Sequence, residues 1–269
     1  MQVIVITGAS EGIGAEMARQ WADALGERGA LVLAARHAER LEAVAAECRA
    51  RGAQALAVPT DVGDQAQCVA LIERAVRDFG RIDLLVNNAG MSAHAMLAEV
   101  TDLAWYEKLM RINFWGAVWC THAALPHLKA SRGRIVAVSS LVGLIALPGR
   151  TAYGATKAAM NSFFDALRLE LADAGVSVTI AYPGVVATEI RRRGFNAQGA
   201  PAGVSGLDEG HAMSTRVCAR LIIGAAERRR REVVMTAQGK LARVLKIILP
   251  GVVDRMARAA LAKPSAPST

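Results

Sequence analysis

Tyr153 and Lys157 stand four residues apart in the stretch TAYGATKAAM, residues 151–160, surrounded by small side chains. On a helix that spacing puts both on one face. A phenol with an ordinary pKa of about 10 is a reluctant base, and a nearby ammonium favours its ionised form. The pair therefore suits proton exchange with an oxygen that gains or loses charge, as when a ketone and an alcohol interconvert. A lysine lying along a half-buried tyrosine is the plain structural alternative, and the two residues alone do not separate these readings. Ser140 does, lying thirteen residues before Tyr153 at the end of the strand-like run GRIVAVSS, 133–140. It offers a second hydroxyl to the same oxygen, at a strand end where open α/β sheets bind ligands. Gly154, Ala155, Ala158 and Ala159 leave room for a cofactor or a partner helix.

A second constellation sits near the start of the chain. TGASEGIG (7–14) follows the run VIVIT and opens a helical pattern, with Gly8, Gly12 and Gly14 as its glycines and Ser10, Glu11 and Ile13 between them. Such glycines let the backbone turn tightly and approach a pyrophosphate, whose charge is met by the helix N-terminus. The next strand, ALVLAAR (30–36), ends on Arg36, where many NAD sites place an acid for the ribose 2′-hydroxyl. A guanidinium suits a 2′-phosphate instead. NADP(H) is therefore the expected cofactor, with NAD(H) the alternative. Glu11 counts against this, because a carboxylate in the glycine loop repels phosphate.

The elements that must position these residues follow a regular alternation. Strand-like runs at 3–7, 30–36, 53–59, 82–88, 133–140 and 176–184 are separated by helical patterns, the longest over about 102–130. That pattern predicts βαβ units and a parallel sheet covered on both faces. The rhythm breaks over 188–212, which predicts a long mobile substrate loop whose Arg191–Arg193 are solvated charge or, alternatively, meet an anionic carrier or the cofactor phosphates. The tail from Gly239 is apolar and basic, is split at Pro250–Gly251, and ends in a frayed PSAPST.

Composition narrows the function classes. With 269 residues and 53% hydrophobic content, one large domain is expected. Lys and Arg number 32 against 24 Asp and Glu, but much of the surplus lies in two short arginine runs. With aromatics at only 4%, few rings could stack on bases, so no nucleic-acid partner is expected. Cys48, Cys68, Cys120 and Cys218 are scattered without ligand spacing, which points to buried thiols and no metal site. No signal peptide or spanning segment is visible, so a soluble cytoplasmic protein is expected.

TGASEGIG, Asp61, NNAG (87–90), Asn113, Ser140, YGATK (153–157) and Pro183–Gly184 resemble, in order and spacing, the short-chain dehydrogenases/reductases. The resemblance covers about residues 3–236. It implies a single-domain, Rossmann-like doubly wound sheet of roughly seven parallel strands over 1–236, with a C-terminal helical extension at 237–269. It also implies that Tyr153 is the proton donor and acceptor and that Ser140 holds the substrate oxygen. Lys157 then holds the nicotinamide ribose and tunes Tyr153, while Asn113 positions a water between Lys157 and solvent. Asp61 and Val62 bracket the adenine, Asn88, Ala89 and Gly90 border its ribose, and Pro183, Gly184, Val186 and Thr188 meet the nicotinamide and phosphates. The substrate side comprises Ser140, Tyr153, an apolar wall from Leu141 to Leu147, and His94, Met91, Met96 and Phe195. It suits a hydrophobic carbonyl or alcohol. A homodimer or homotetramer built on the 102–130 and 153–173 helices is implied as well. The tail resembles that of the 11β-hydroxysteroid dehydrogenase-like subgroup. It is read as an interfacial helix with Lys240, Arg243, Lys246, Arg255 and Arg258 near lipid, as dimer packing, or as a lid. The competing functions are a 3-oxoacyl carrier-protein reductase and a dinucleotide-sensing scaffold without turnover.

Overall fold

The computed structural model describes residues 1–205, 210 and 212–261. The PSAPST end and part of the expected substrate loop (206–209 and 211) lie outside the described residues. Seven parallel strands, β1 (Gln2–Thr7), β2 (Gly29–Ala35), β3 (Gln54–Pro59), β4 (Leu84–Asn87), β5 (Arg134–Val138), β6 (Ser177–Tyr182) and β7 (Glu232–Val234), form one sheet. Their order is β3-β2-β1-β4-β5-β6-β7.

The strands are apolar on both faces because both faces are covered. Ile4 and Ile6 of β1 join Met17 and Trp21 of α1 (Gly12–Leu25), Leu41 of α2 (Ala38–Ala50) and Ile222 of α7 (Thr215–Glu227). Val5 points the other way. It joins Leu71 of α3 (Gln65–Phe79), Leu128 of α5 (Gly116–Ser131) and Phe164 of α6 (Thr151–Glu170). The same alternation repeats in β2, β4 and β5, so each strand ties two cores together. Each fully buried aliphatic side chain contributes about 1.5–3 kcal/mol. The sheet grows outward from β1 in one direction to β3 and in the other through β4. This leaves a switch point between β1 and β4, where the loops at the strand C-termini diverge.

The expected helix over 102–130 is two helices. α4 (Ala104–Met110) and α5 are joined by a π-helical turn, Arg111–Trp115, that carries Asn113. Periodicity alone does not reveal the extra residue of such a turn, and these turns recur at functional sites. In the tail, α8 (Ala237–Ile248) and α9 (Pro250–Leu261) are separated where Pro250 stops the first helix.

α8 lies against the segment that follows Ser140. A Cβ on Gly239 would sit 2.7 Å from Leu141 Cδ2, and Lys246 Nζ donates to the Leu144 carbonyl at 2.6 Å. The extension is therefore packed on the catalytic region rather than set apart from it.

The 188–205 segment has no helix or strand, yet it is knitted to its surroundings. Phe195 N donates to Ser92 O at 3.0 Å, His94 N to Phe195 O at 2.9 Å, and Gly203 N to Arg192 O at 2.8 Å. Arg191 departs from the solvated role expected of it. It is 8% exposed and donates to Ser205 Oγ at 2.9 Å and to the Val186 carbonyl at 3.0 Å. In the second arginine run, Arg229 gives its guanidinium to the carbonyls of Arg132, Gly133 and Gly175. That residue closes a turn rather than offering free charge. Among the described residues no helix is long and apolar enough to cross a membrane.

Candidate active site

One cavity of about 1300 Å³ runs across the strand C-termini. It exceeds the roughly 300–1,000 Å³ of an ordinary small-molecule pocket, so a long ligand and a second molecule fit together. At one end lie the glycine loop, Arg36, Asp61 and Val62; at the other lie Ser140, Tyr153 and Lys157.

The glycine end is shaped by what cannot be there. Gly8 has φ +66°, and a Cβ on it would meet Ala89 Cα at 2.8 Å; one on Gly14 would meet Gly8 O at 2.2 Å. The loop is pinned to β4 by Asn88, whose Nδ2 donates to the carbonyls of Thr7 at 2.9 Å and Gly8 at 3.1 Å. Thr7 Oγ1 in turn accepts from the amides of Asn88 and Ala89, each at 3.0 Å. α1 starts without a side-chain cap, whereas Asp64 caps α3 and Ser214 caps α7. Uncapped amides facing a glycine-lined groove are a fitting cradle for a pyrophosphate. Ser10, Ile13, Asn88, Gly90, Pro183, Gly184, Val186 and Thr188 line the same cavity, as do Ala89 and Gly12.

Arg36 is exposed at the end of β2 on the cavity rim. The repulsion expected from Glu11 is offset, because its carboxylate pairs with Arg193 and, at 3.5 Å, with Arg40. Asp61 turns inward on its own loop, where its Oδ1 accepts from Gly63 N at 2.9 Å.

At the other end, Ser140 and Tyr153 line the same wall, and the Ser140 hydroxyl is near enough to favour the ionised phenol. Ser140 is also fixed by Val142 N, which donates to its Oγ at 3.2 Å. Ser139 is committed elsewhere, donating to Asn161 Oδ1 at 2.5 Å, so Ser140 is the serine presented to Tyr153. Lys157 is buried. Its Nζ donates to the Val138 carbonyl at 3.0 Å and lies 5.9 Å from the centre of the Tyr153 ring. Burial pulls its pKa down to about 8.

The Tyr153 phenol is raised above its ordinary value, chiefly by burial, against the nearby Ser140 hydroxyl and the charges of Arg150 and Arg191. This differs from the expected phenol lowered by Lys157. The cations acting on it are two arginines that motif reading did not single out as partners of Tyr153. Asn113 is fully buried and engaged at both ends: its Oδ1 accepts from Met91 N at 2.7 Å, and its Nδ2 donates to Met91 O at 2.9 Å and Thr156 Oγ1 at 3.0 Å. Its side chain thus braces the loop after β4 against α6.

Three expected substrate residues lie off the cavity wall. Phe195 is 8% exposed and packs on Trp105, with ring centres 5.6 Å apart, in a separate cluster beside α4. His94 stands against Gly149, where a Cβ would meet its ring at 2.5 Å. Met96 points outward and is 47% exposed. Backbone pairing of Ala93 with Phe195 holds those two residues in that cluster, while Ser92 and Arg193 beside them line the cavity. Leu141 and Leu147 do line it, joined by Ile145, Met213 and, from the C-terminal extension, Gln238 and Ala242.

A family model for the short chain dehydrogenases matches residues 2–199. The chain belongs to this family of oxidoreductases. It is 34% identical over 255 residues to an 11-beta-hydroxysteroid dehydrogenase-like 2 protein of Arabidopsis thaliana, covering 94% of this chain and 79% of that one. With an 11-beta-hydroxysteroid dehydrogenase A of Sesamum indicum it shares 41% identity over 196 residues, 72% of this chain but only 55% of the relative. Among solved structures, an alcohol dehydrogenase of the archaeon Thermococcus sibiricus, complexed with 5-hydroxy-NADP, superposes with a TM-score of 0.74 at 26% identity. That match covers 87% of this chain and 95% of the other. The subgroup named from the sequence is the one whose names these plant relatives carry.

Proposed function

We propose that this short-chain dehydrogenase interconverts a hydrophobic ketone and its secondary alcohol with NADP(H), using Tyr153 as proton donor and acceptor. The observation that carries the reading is that Ser140, Tyr153 and Lys157 line one cavity together with the glycine loop. The bound nicotinamide supplies or takes the hydride at carbon. Tyr153 gives its hydroxyl proton to the carbonyl oxygen, and the bonding pair stays on the phenol oxygen. Ser140 donates to the same carbonyl oxygen as charge builds there. Lys157, cationic below a pKa of about 8, helps to hold that charge and is placed for the ribose hydroxyls. Asn113 keeps the 90–91 loop against α6, and Arg36 takes the 2′-phosphate.

Gly8, Gly12 and Gly14 with the uncapped start of α1 hold the diphosphate, Asp61 and Val62 flank the adenine, and Asn88 to Gly90 border its ribose. Pro183, Gly184, Val186 and Thr188 form the nicotinamide wall. Leu141, Ile145, Leu147 and Met213 give the substrate end its apolar character. A homo-oligomer is part of the same proposal. Trp115 is 45% exposed and stacks on Trp119 at 6.0 Å, beside α6, which leaves an aromatic face for a second copy. NADPH oxidation with steroid and aryl ketones, compared with acetoacetyl thioesters, tests the substrate class. Faster turnover of the thioesters would replace this reading with a 3-oxoacyl reductase, and binding of NADPH without turnover of any carbonyl would favour a dinucleotide sensor.

A further inference from the structure

Arg150 is a buried charge with an incomplete set of partners. It immediately precedes α6, three residues before Tyr153, and is 4% exposed. Its Nη1 donates to Ser92 Oγ at 3.0 Å and to the Ala93 carbonyl at 2.8 Å, which fixes the guanidinium plane. Nη2 is buried with no acceptor. Among the described residues no carboxylate acts on this guanidinium; the one negative group that does is the Tyr153 phenolate, while Arg191 opposes it. A cation kept out of water without a counter-ion is expensive, and tying down one loop does not require it.

The compensation lies at Tyr153. Residues three apart at the start of a helix are neighbours, and both line the cavity. The groups around the phenol are the Ser140 hydroxyl from the 140–144 turn, Lys157 from α6, Arg191 from the segment after β6, and Arg150 itself. His94, from the segment after β4, adjoins Arg150 and is held towards its neutral form by burial and by that charge. Of the cations, Lys157 is committed to the Val138 carbonyl. It also loses its proton near pH 8, whereas a guanidinium stays charged.

We propose that Arg150 is a positioning residue that holds permanent positive charge beside the Tyr153 oxygen and stabilises the phenolate left when Tyr153 gives up its proton. The inference rests on the reading of Tyr153 as the proton donor. In that step the proton passes to the substrate carbonyl oxygen and the electron pair remains on Tyr153 Oη, where Arg150 acts.

The test needs neither substrate nor cofactor. The chain has three tyrosines, so subtracting the tyrosinate absorbance titration of a Tyr153→Phe protein from that of its parent isolates this phenol. Arg150→Gln should move the isolated titration upward by about one pH unit, leaving roughly tenfold less phenolate at a given pH. Arg150→Lys should also move it upward, because a buried ammonium loses its proton before this phenol ionises, and should lower thermal stability, since the fork on Ser92 and Ala93 is lost. A folded Arg150→Gln protein that titrates like wild type overturns the proposal. If the glutamine variant does not fold, the lysine variant decides: a titration unchanged from wild type, although the ammonium is neutral in that range, overturns it. Turnover of Tyr153→Phe is read separately. Activity retained there sinks the proton-donor role while leaving the measured coupling of Arg150 to the phenol intact.

Discussion

The two ends of the cavity are built by different means. The cofactor end is mostly backbone: glycines that exclude Cβ atoms, an uncapped helix start, and amides held by Thr7 and Asn88. The reacting end is mostly side chain. It gathers Ser140, Tyr153, Lys157, Arg150 and Arg191 from three segments, and each is buried or half-buried. A backbone site takes its shape from local steric rules and tolerates exposure. A side-chain site depends on desolvated charges whose balance is set across the fold. Damage at the first end should therefore appear as lost cofactor affinity, and damage at the second as lost turnover.

The largest effect expected is at the reacting end. Tyr153→Phe should reduce kcat by about 10²–10⁴-fold while NADPH affinity, measured by fluorescence titration, stays near wild type. A matching loss of affinity would break the division between the two ends. At the cofactor end, Arg36→Asp should move the NADP(H) to NAD(H) ratio of kcat/KM by about 10- to 100-fold towards NAD(H), the scale of one or two charge-assisted hydrogen bonds. An unchanged ratio would remove Arg36 from the 2′-phosphate. Gly14→Ala forces a Cβ against the Gly8 carbonyl. It should cost about 1–3 kcal/mol in urea unfolding and weaken NADPH binding, with little change in kcat once cofactor saturates.

Lys157 offers a subtler contrast. Unfolded, it keeps its proton up to about pH 10.4; folded, burial pulls that down to about 8. Between those values the unfolded chain binds more protons, so the lysine's contribution to stability rises with pH. The urea midpoint of wild type minus that of Lys157→Met should grow across this window, and a flat difference would show that the ammonium is not desolvated. Taking the difference removes the buried thiols, such as Cys48 at about 11, which titrate nearby. The smallest effect is expected from Glu11→Gln, which frees the exposed Arg193 and Arg40. NADPH affinity should tighten about two- to fivefold, the scale of a surface ion pair, and more so at low salt.

The contrast also explains what was legible in the sequence. The glycine loop, Ser140 and the Tyr153–Lys157 pair could be read because their spacing is local and chemistry fixes it. The sheet could be read because apolar runs alternate with helical periods. Asn113 sits in a π-helical turn that looks like ordinary helix in a residue pattern. His94 and Phe195 stand close to the motifs in sequence, but Phe195 pairs with Ala93 in another cluster and His94 lies against Gly149. Arg191 looked like loop charge because its neighbours are polar, and nothing local tells that it folds under to Val186. Arg150 was invisible for the same reason: its partners, Ser92 and Ala93, are nearly sixty residues away.

α8 places Gln238, Gly239 and Ala242 on the wall of the reacting end, whereas the family model's match stops at residue 199. The proton-transfer residues and the glycine loop fall inside that match, and this stretch of the substrate wall falls outside it. In the proposed reading the substrate wall is therefore divided, with Leu141, Ile145 and Leu147 inside the match and Met213, Gln238 and Ala242 beyond it. Because α8 also packs on Leu141 and Leu144, a change in residues 237–261 reaches the segment that follows Ser140 as well as the wall.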